Sequence, residues 1–225
     1  MELLHQCISV LRKDLLQQWR SRARLVAVGV FGLTTLLLFS FANGPDSTML
    51  RANAAGYLWL ALLLCSTLSL AESFRIEMQN GALEGLLLLP TDPRAIYYGK
   101  ALANLAVLTG LGLALIPVMV ALYDTSIPLG VHKLAGVIAL GAAGLVAPGT
   151  LYSALAARAR GSDVLLPLLL FPLVVPALLS CVKATSLILS GDPMSQLGSW
   201  VGLLVAFNVI YWSLCGLLFG RVVED

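Results

Sequence analysis

The stretch from Glu72 to Lys100 reads ESFRIEMQNGALEGLLLLPTDPRAIYYGK and is the longest polar break in an otherwise apolar chain. It carries seven of the 26 charged side chains, which comprise 14 Lys and Arg and 12 Asp and Glu. An acidic, glycine-punctuated segment in its middle is followed by four leucines and a proline. Such a stretch between two apolar runs predicts a docking surface rather than a simple connection.

The composition around this stretch is that of a polytopic membrane protein. Of the 225 residues, 59% are hydrophobic and 12% are charged, whereas soluble domains carry about 25% charge. The four cysteines form no CxxC pair and are predicted to be free thiols that pack as small hydrophobic side chains. No cleavable signal peptide is expected, because an amphipathic segment precedes the first apolar run.

Residues 1–24 are predicted to form an amphipathic helix in the membrane interface. Apolar side chains recur there at spacings of three and four, which places them on one helical face. They are Leu4, Ile8, Leu11, Leu15 and Trp19. Because the other faces are too charged to cross a bilayer, the basic side is expected to meet anionic lipid. The polar residues on those faces are Arg12, Lys13, Gln17 and Arg20.

Residues 25–225 are predicted to form a domain of six transmembrane helices. Six runs approach the length of about 20 apolar residues that a bilayer core requires, and backbone groups in lipid are satisfied within helices. The predicted spans are Leu25–Phe41, Ala54–Ala71, Ala101–Leu122, Leu134–Ala156, Val164–Val182 and Trp200–Gly220. With a cytoplasmic N-terminus, 11 Lys and Arg lie inside and three outside. This split favours two cytoplasmic termini and a cytoplasmic loop 72–100.

The fifth span is rich in proline. Pro167, Pro172 and Pro176 are each expected to remove a helical hydrogen bond and favour a kink, so they are candidate gating residues. Apolar residues resume after Lys183. This pattern predicts a bent helix followed by a short helical or re-entrant element; the alternative is one tilted helix with Lys183 reaching the surface.

Small residues and tryptophans give further expectations about packing. Glycines in the third and fourth spans predict close helix approach. They are Gly110, Gly112, Gly136, Gly141, Gly144 and Gly149. Trp59 and Trp200, near span ends, are predicted to anchor the chain in the membrane interface.

The sequence carries no pattern typical of catalysis, of a metal site or of nucleic-acid binding. Gly99 and Lys100 do not close a phosphate-binding loop, because Arg94 and Ala101 stand where that motif needs Gly and Ser or Thr. ATP is therefore expected only in a partner. The two histidines, His5 and His132, are predicted on opposite sides of the membrane. Ionisable residues are nearly absent from the predicted spans, which disfavours an ion-coupled transporter.

The loop 72–100 is predicted to contain a short transverse helix. Span two continues into the loop until Gly81 breaks the helix, and a short helix follows that ends at Pro90. Asp92 then caps a new helix with Pro93 at its first position, and this helix becomes span three.

A short helix of this kind suits the coupling of a membrane protein to a cytoplasmic motor. Its leucines would seat it in a groove or against the membrane, and its acids would orient it. A lipid-facing hairpin that binds nothing accounts for the same residues. The candidate ATPase-coupling residues are Glu72, Arg75, Glu77, Gly81, Leu83, Glu84 and Pro90.

Two segments resemble the CcmB family, the permeases of the cytochrome c maturation ABC system. FRIEMQNGALEGLLLLP (Phe74–Pro90), with Lys100 ten residues on, resembles that family's Phe-Arg, acidic pair, Gly-small-Leu-Glu, leucine run and Pro. RGSDVLLPLLLFPLVVPALL (Arg160–Leu179) resembles its basic turn and proline-punctuated fifth span. Asn80 departs from the Asp that the family often has there. Length, six spans and cytoplasmic termini extend the resemblance over essentially the whole chain.

The resemblance implies an ABC exporter-like permease subunit, itself not an enzyme, in a bacterial inner membrane. It implies a homodimer bound to two CcmA-like ATPase subunits, with CcmC-like and CcmD-like membrane proteins nearby. ATP hydrolysis would be linked to release of a haem-loaded, CcmE-like periplasmic chaperone. Haem is then a transported ligand rather than a cofactor, and the lack of paired axial ligands in a span favours a mechanical role over a haem channel. The alternatives are an ABC permease for a different amphipathic substrate and a non-transporting membrane scaffold.

Overall fold

The computed structural model describes residues 2–44, 47–79, 92–158 and 165–224. Within these ranges every regular element is an α-helix. The seven helices are α1 (Glu2–Arg20), α2 (Arg22–Asn43), α3 (Ser47–Gln79), α4 (Pro93–Tyr123), α5 (Val131–Arg158), α6 (Leu165–Ser190) and α7 (Leu197–Glu224). The helices α2 to α7 are long and apolar enough to cross a membrane. The predicted all-α membrane fold with six spans is therefore confirmed.

The central helix of the bundle is α5, which contacts α3, α4, α6 and α7. Leu134, Ile138 and Leu145 on α5 are almost fully buried. By contrast, α2 lies at the edge and packs chiefly on α3 and α4. The strongest interior packing therefore surrounds α5.

Glycines explain how closely the helices approach α5. A Cβ atom added to Gly112, Gly141 or Gly149 would lie 2.6, 2.1 or 2.4 Å from a neighbouring side chain. The prediction of close packing is confirmed at these three positions. It is wrong for Gly110 and Gly136, where an added Cβ meets no atom within 4 Å.

Trp59 lies inside the bundle, and its predicted role as an interface anchor is wrong. Its side chain is 1% exposed, and its indole Nε1 donates a hydrogen bond to Thr185 Oγ1 at 2.9 Å. Gly141 on α5 leaves the space that the ring fills. The error arises because α3 begins at Ser47 rather than Ala54, so Trp59 lies well within the helix.

The proline-rich span is one helix. Helix α6 runs from Leu165 to Ser190 with Pro172 and Pro176 in its interior. The predicted separate outer element is therefore wrong. Pro167 lies in the first turn of α6, where an N–H has no partner within the helix, so the expected loss of a hydrogen bond does not apply there.

Candidate functional site

The site is built at the loop base, which we define as residues 72–79 of α3 and 92–100 of α4. Asp92 Oδ1 accepts a hydrogen bond from the Arg94 N–H at 2.9 Å, and Pro93 occupies the first position of α4. The predicted cap is confirmed. The Asp92 N–H also donates to Gln6 Oε1 at 3.3 Å, which ties α1 to the start of α4.

The predicted coupling residues fall at the loop base and beyond it. Glu72 and Arg75 form an ion pair on the last turns of α3, with Arg75 Nη2 2.7 Å from Glu72 Oε1. Glu77 belongs to α3, but its side chain is outside the described residues. Four further candidate residues lie entirely outside the described residues. They are Gly81, Leu83, Glu84 and Pro90. Coupling through these residues stays a prediction.

A buried ion pair joins three helices at the loop base. Lys100 on α4 is 1% exposed and Asp14 on α1 is 5% exposed. Lys100 Nζ lies 3.1 Å from Asp14 Oδ2 and donates to the Ser73 carbonyl oxygen of α3 at 3.3 Å. The ammonium group also lies 4.7 Å from the centre of the Phe74 ring, within cation–π range. One cation therefore holds α1, α3 and α4 together.

Polar side chains extend this pair into the bundle. Asn104 Nδ2 lies 3.4 Å from Ser73 Oγ and 3.5 Å from Thr150 Oγ1 of α5. Gln18 Nε2 of α1 lies 3.5 Å from Asn104 Oδ1. We call the set Asp14, Gln18, Ser73, Lys100, Asn104 and Thr150 the polar cluster. Its outer contacts are long and individually weak, whereas the ion pair is buried.

Lys100 lies in the helix that the sequence predicts from Pro93, directly before the predicted third span Ala101–Leu122. Because α4 starts at Pro93, Lys100 lies about 10 Å along a helix that is apolar enough to span a membrane. The interpretation that the spans hold almost no ionisable residue therefore missed Lys100. The sequence did contain a signal for Asp14, the partner of Lys100. Cys7, Val10 and Asp14 are spaced by three and four residues, so they share a helical face that differs from the predicted apolar face.

Helix α1 docks on α4 through small and buried residues. A Cβ on Gly99 would lie 2.7 Å from Val10 Cβ and 2.9 Å from the Cys7 carbonyl oxygen, so the helices touch at this glycine. Burial raises the pKa of the Cys7 thiol. The predicted apolar face points away from the bundle, with Leu4 and Trp19 each 67% exposed. That face is available to lipid.

Comparison with known proteins agrees with the resemblance seen in the two sequence segments. The sequence model for the family described as CcmB protein matches residues 5–224. This chain belongs to the CcmB family.

Several curated proteins described as heme exporter protein B are similar to this CcmB-family chain. Heme exporter protein B of Pseudomonas aeruginosa is 31% identical over 188 residues, which is 84% of each chain. Its namesake in Rhodobacter capsulatus is 35% identical over 150 residues, 66% of this chain and 68% of the relative. The Bradyrhizobium diazoefficiens protein is 28% identical over 207 residues, 90% of each chain.

The loop base of this CcmB-family chain is packed firmly against the rest of the bundle. The Tyr97 hydroxyl donates to the Ala147 carbonyl of α5 at 3.0 Å. Its ring centre lies 5.5 Å from that of Phe219 on α7, which in turn lies 6.0 Å from that of Phe74. The loop base therefore packs against both α5 and α7.

The polar cluster joins helices that are far apart in sequence. Its ion pair and hydrogen bonds link α1, α3, α4 and α5, although Gln18 Oε1 is buried with no hydrogen-bond partner among the described residues. Within the described ranges, no three His, Cys, Asp or Glu side chains gather as metal ligands do. His5 and His132 are exposed, in α1 and at the start of α5.

Proposed function

We propose that this chain is the membrane permease subunit of an ABC complex for cytochrome c maturation. ATP hydrolysis by a cytoplasmic, CcmA-like partner would rearrange the helical bundle and so drive haem export or release of a haem-loaded chaperone. Membership of the CcmB family and the similarity to heme exporter proteins B support this proposal. The chain itself would supply no catalysis.

The loop base carries the proposal. Lys100 ties α4 to α1 and α3, and Tyr97 ties α4 to α5. A partner that pushes on residues 80–91 would therefore move several helices as a unit. This favours a mechanical role, with both termini and the loop in the cytoplasm of a bacterial inner-membrane protein.

The remaining partners follow from the family. A second copy of the chain, CcmC-like and CcmD-like membrane proteins and a CcmE-like haem chaperone would complete the assembly. Haem would be the transported ligand and not a resident cofactor. The positions of His5 and His132 supply no pair of imidazoles within one chain that would ligate an iron in the interior.

Charge reversal in the loop tests the coupling. We expect Glu84→Arg to abolish co-purification of the ATPase and to lower c-type cytochromes in a deletion strain, because desolvated contact charges contribute most to an interface. Lys133→Glu, an exposed reversal at the start of α5, is the matched control and should leave both readouts unchanged.

The same strains separate the proposal from its rivals. Normal b-type cytochromes alongside missing c-type cytochromes would support a role in cytochrome c maturation. If the Glu84→Arg variant still co-purifies with the ATPase, Glu84 is not an ATPase-coupling residue. Normal c-type cytochromes in the deletion strain would overturn the proposed function itself.

A further inference from the structure

An amphipathic cavity lies between the C-terminal part of α1 and the bundle. It encloses about 340 Å³ and is lined by α1, α2, α3 and α4, a volume within the range of small-molecule sites. Its polar end is formed by Asp14, Gln18, Arg24 and Lys100, and its apolar end by Val28 and Leu111. A ligand that matches both ends is itself amphipathic.

The polar end has an excess of positive charge. Lys100 and Asp14 neutralise each other across 3.1 Å, which leaves Arg24 as a further cation on the cavity wall. Arg24 Nη2 donates to Ser21 Oγ at 2.8 Å, and a guanidinium has five N–H donors. These groups favour an anion.

The apolar end opens between α2 and α4 toward the surface that lipid would cover. Ala106 and Gly110 of α4 are exposed there, and Leu25 and Val28 of α2 are half-buried. A side chain added at Gly110 would meet open space, with no atom within 4 Å. An acyl chain can therefore enter sideways from the bilayer without displacing a helix.

We propose that this cavity binds one membrane phospholipid. Its phosphate lies at Arg24, and one acyl chain runs along Val28 and Leu111. The lipid occupies the space between α1 and the bundle, next to the polar cluster. The lining offers no His, Cys or Met, the side chains that most often ligate haem iron. The inference does not depend on the proposed function.

Native mass spectrometry of the purified full chain in detergent tests the site. The protein is titrated with phosphatidylglycerol, with a diacylglycerol that has the same acyl chains, and with haemin. We expect one phosphatidylglycerol per chain and at least tenfold weaker retention of the diacylglycerol, which lacks the phosphate. Haemin added in equal amount should not displace the phospholipid.

Two variants report on the two ends of the cavity. Gly110→Leu fills the apolar end, and Arg24→Gln removes the cation; each should weaken retention of phosphatidylglycerol at least tenfold. Gly202→Leu is the matched control, because Gly202 on α7 is also exposed and an added Cβ meets no atom within 4 Å. It should bind phosphatidylglycerol like the parent chain.

Three results would overturn the proposal. The first is equal phospholipid retention by the parent chain and by both cavity variants. The second is equal retention of the phospholipid and the diacylglycerol. The third is displacement by haemin that disappears in Gly110→Leu, which would make the cavity a haem site.

Discussion

At the residue scale, Lys100 shows the conditions under which a charge is kept inside an apolar bundle. Its ammonium group meets a carboxylate, a backbone carbonyl and an aromatic face. Taking either charge out of water costs several kcal/mol, which the pair offsets only while both partners are present. The pair is therefore a requirement for docking α1 rather than a large source of stability.

Single and double variants should reveal this dependence. We expect Asp14→Leu alone to lower the free energy of unfolding by about 3–5 kcal/mol, because it removes the carboxylate that lies 3.1 Å from the buried Lys100 ammonium group. Lys100→Met should cost less, because Asp14 keeps its ion pair with Lys13 at 3.1 Å. The double variant should lose clearly less than the sum. Unfolding in mixed micelles measures all three, and strictly additive losses would contradict the expected coupling.

The matched comparison is the ion pair between Arg51 and Asp124 at the other end of the bundle. Its side chains are 53% and 76% exposed. Because water screens such pairs, Arg51→Ala should change the free energy of unfolding by less than about 1 kcal/mol.

At the element scale, Gly99 is a position of very close approach between α1 and α4. We expect Gly99→Ala to separate α1 from α4, since its Cβ would press on Val10 and on the Cys7 carbonyl. Maleimide labelling of Cys7, in a chain whose other cysteines are alanine, reports the separation. The parent thiol should react slowly at neutral pH, because burial raises its pKa and the thiolate is the reactive form.

In the same background, Gly99→Ala should speed labelling of Cys7 severalfold. Gly202→Ala, which adds a methyl group where no atom lies within 4 Å, should not. Equal labelling rates in the two variants would show that Gly99 is not the contact that seats α1.

The interior prolines of α6 give a second test at this scale. Pro172→Ala and Pro176→Ala each restore an N–H donor within the helix. If the two prolines serve gating, c-type cytochromes should fall severalfold while the folded protein stays at least as stable. Pro167→Ala is the control, because this residue lies in the first turn of α6. Normal cytochromes in all three variants would remove the gating role.

The existence of the helices was predictable from sequence, but some of their ends were not. Apolar runs of bilayer length mark all six spans, and Asp92 with Pro93 marks the start of α4. The burial of Lys100 was not predictable, because the groups that surround it belong to α1 and α3, far away in sequence. Trp59 was misplaced for a related reason, since its partners Thr185 and Gly141 lie on other helices. Local patterns do not contain such contacts.

At the scale of the whole molecule, the helices alternate so that the loop base and the end of α7 share one side. Phe219 packs on Phe74, while Arg51 pairs with Asp124 at the opposite side. The excess of Lys and Arg predicts that the loop-base side faces the cytoplasm.

Reporter fusions test this orientation. A green fluorescent protein joined after Glu224 should fluoresce, because it folds in the cytoplasm. Alkaline phosphatase inserted beside Lys133 should be active, because it requires the periplasm. The reverse pattern would invert the topology and place the loop away from any cytoplasmic ATPase.

The ion pair between Asp14 and Lys100 also has a consequence for biosynthesis. The two residues are 86 positions apart, so at about 5–20 residues per second roughly 4–17 s pass between their emergence from the ribosome. During that interval α1 waits at the membrane surface with its carboxylate hydrated. Helix α1 can thus form this ion pair only after the start of α4 has been made, while α5, α6 and α7 are still to come.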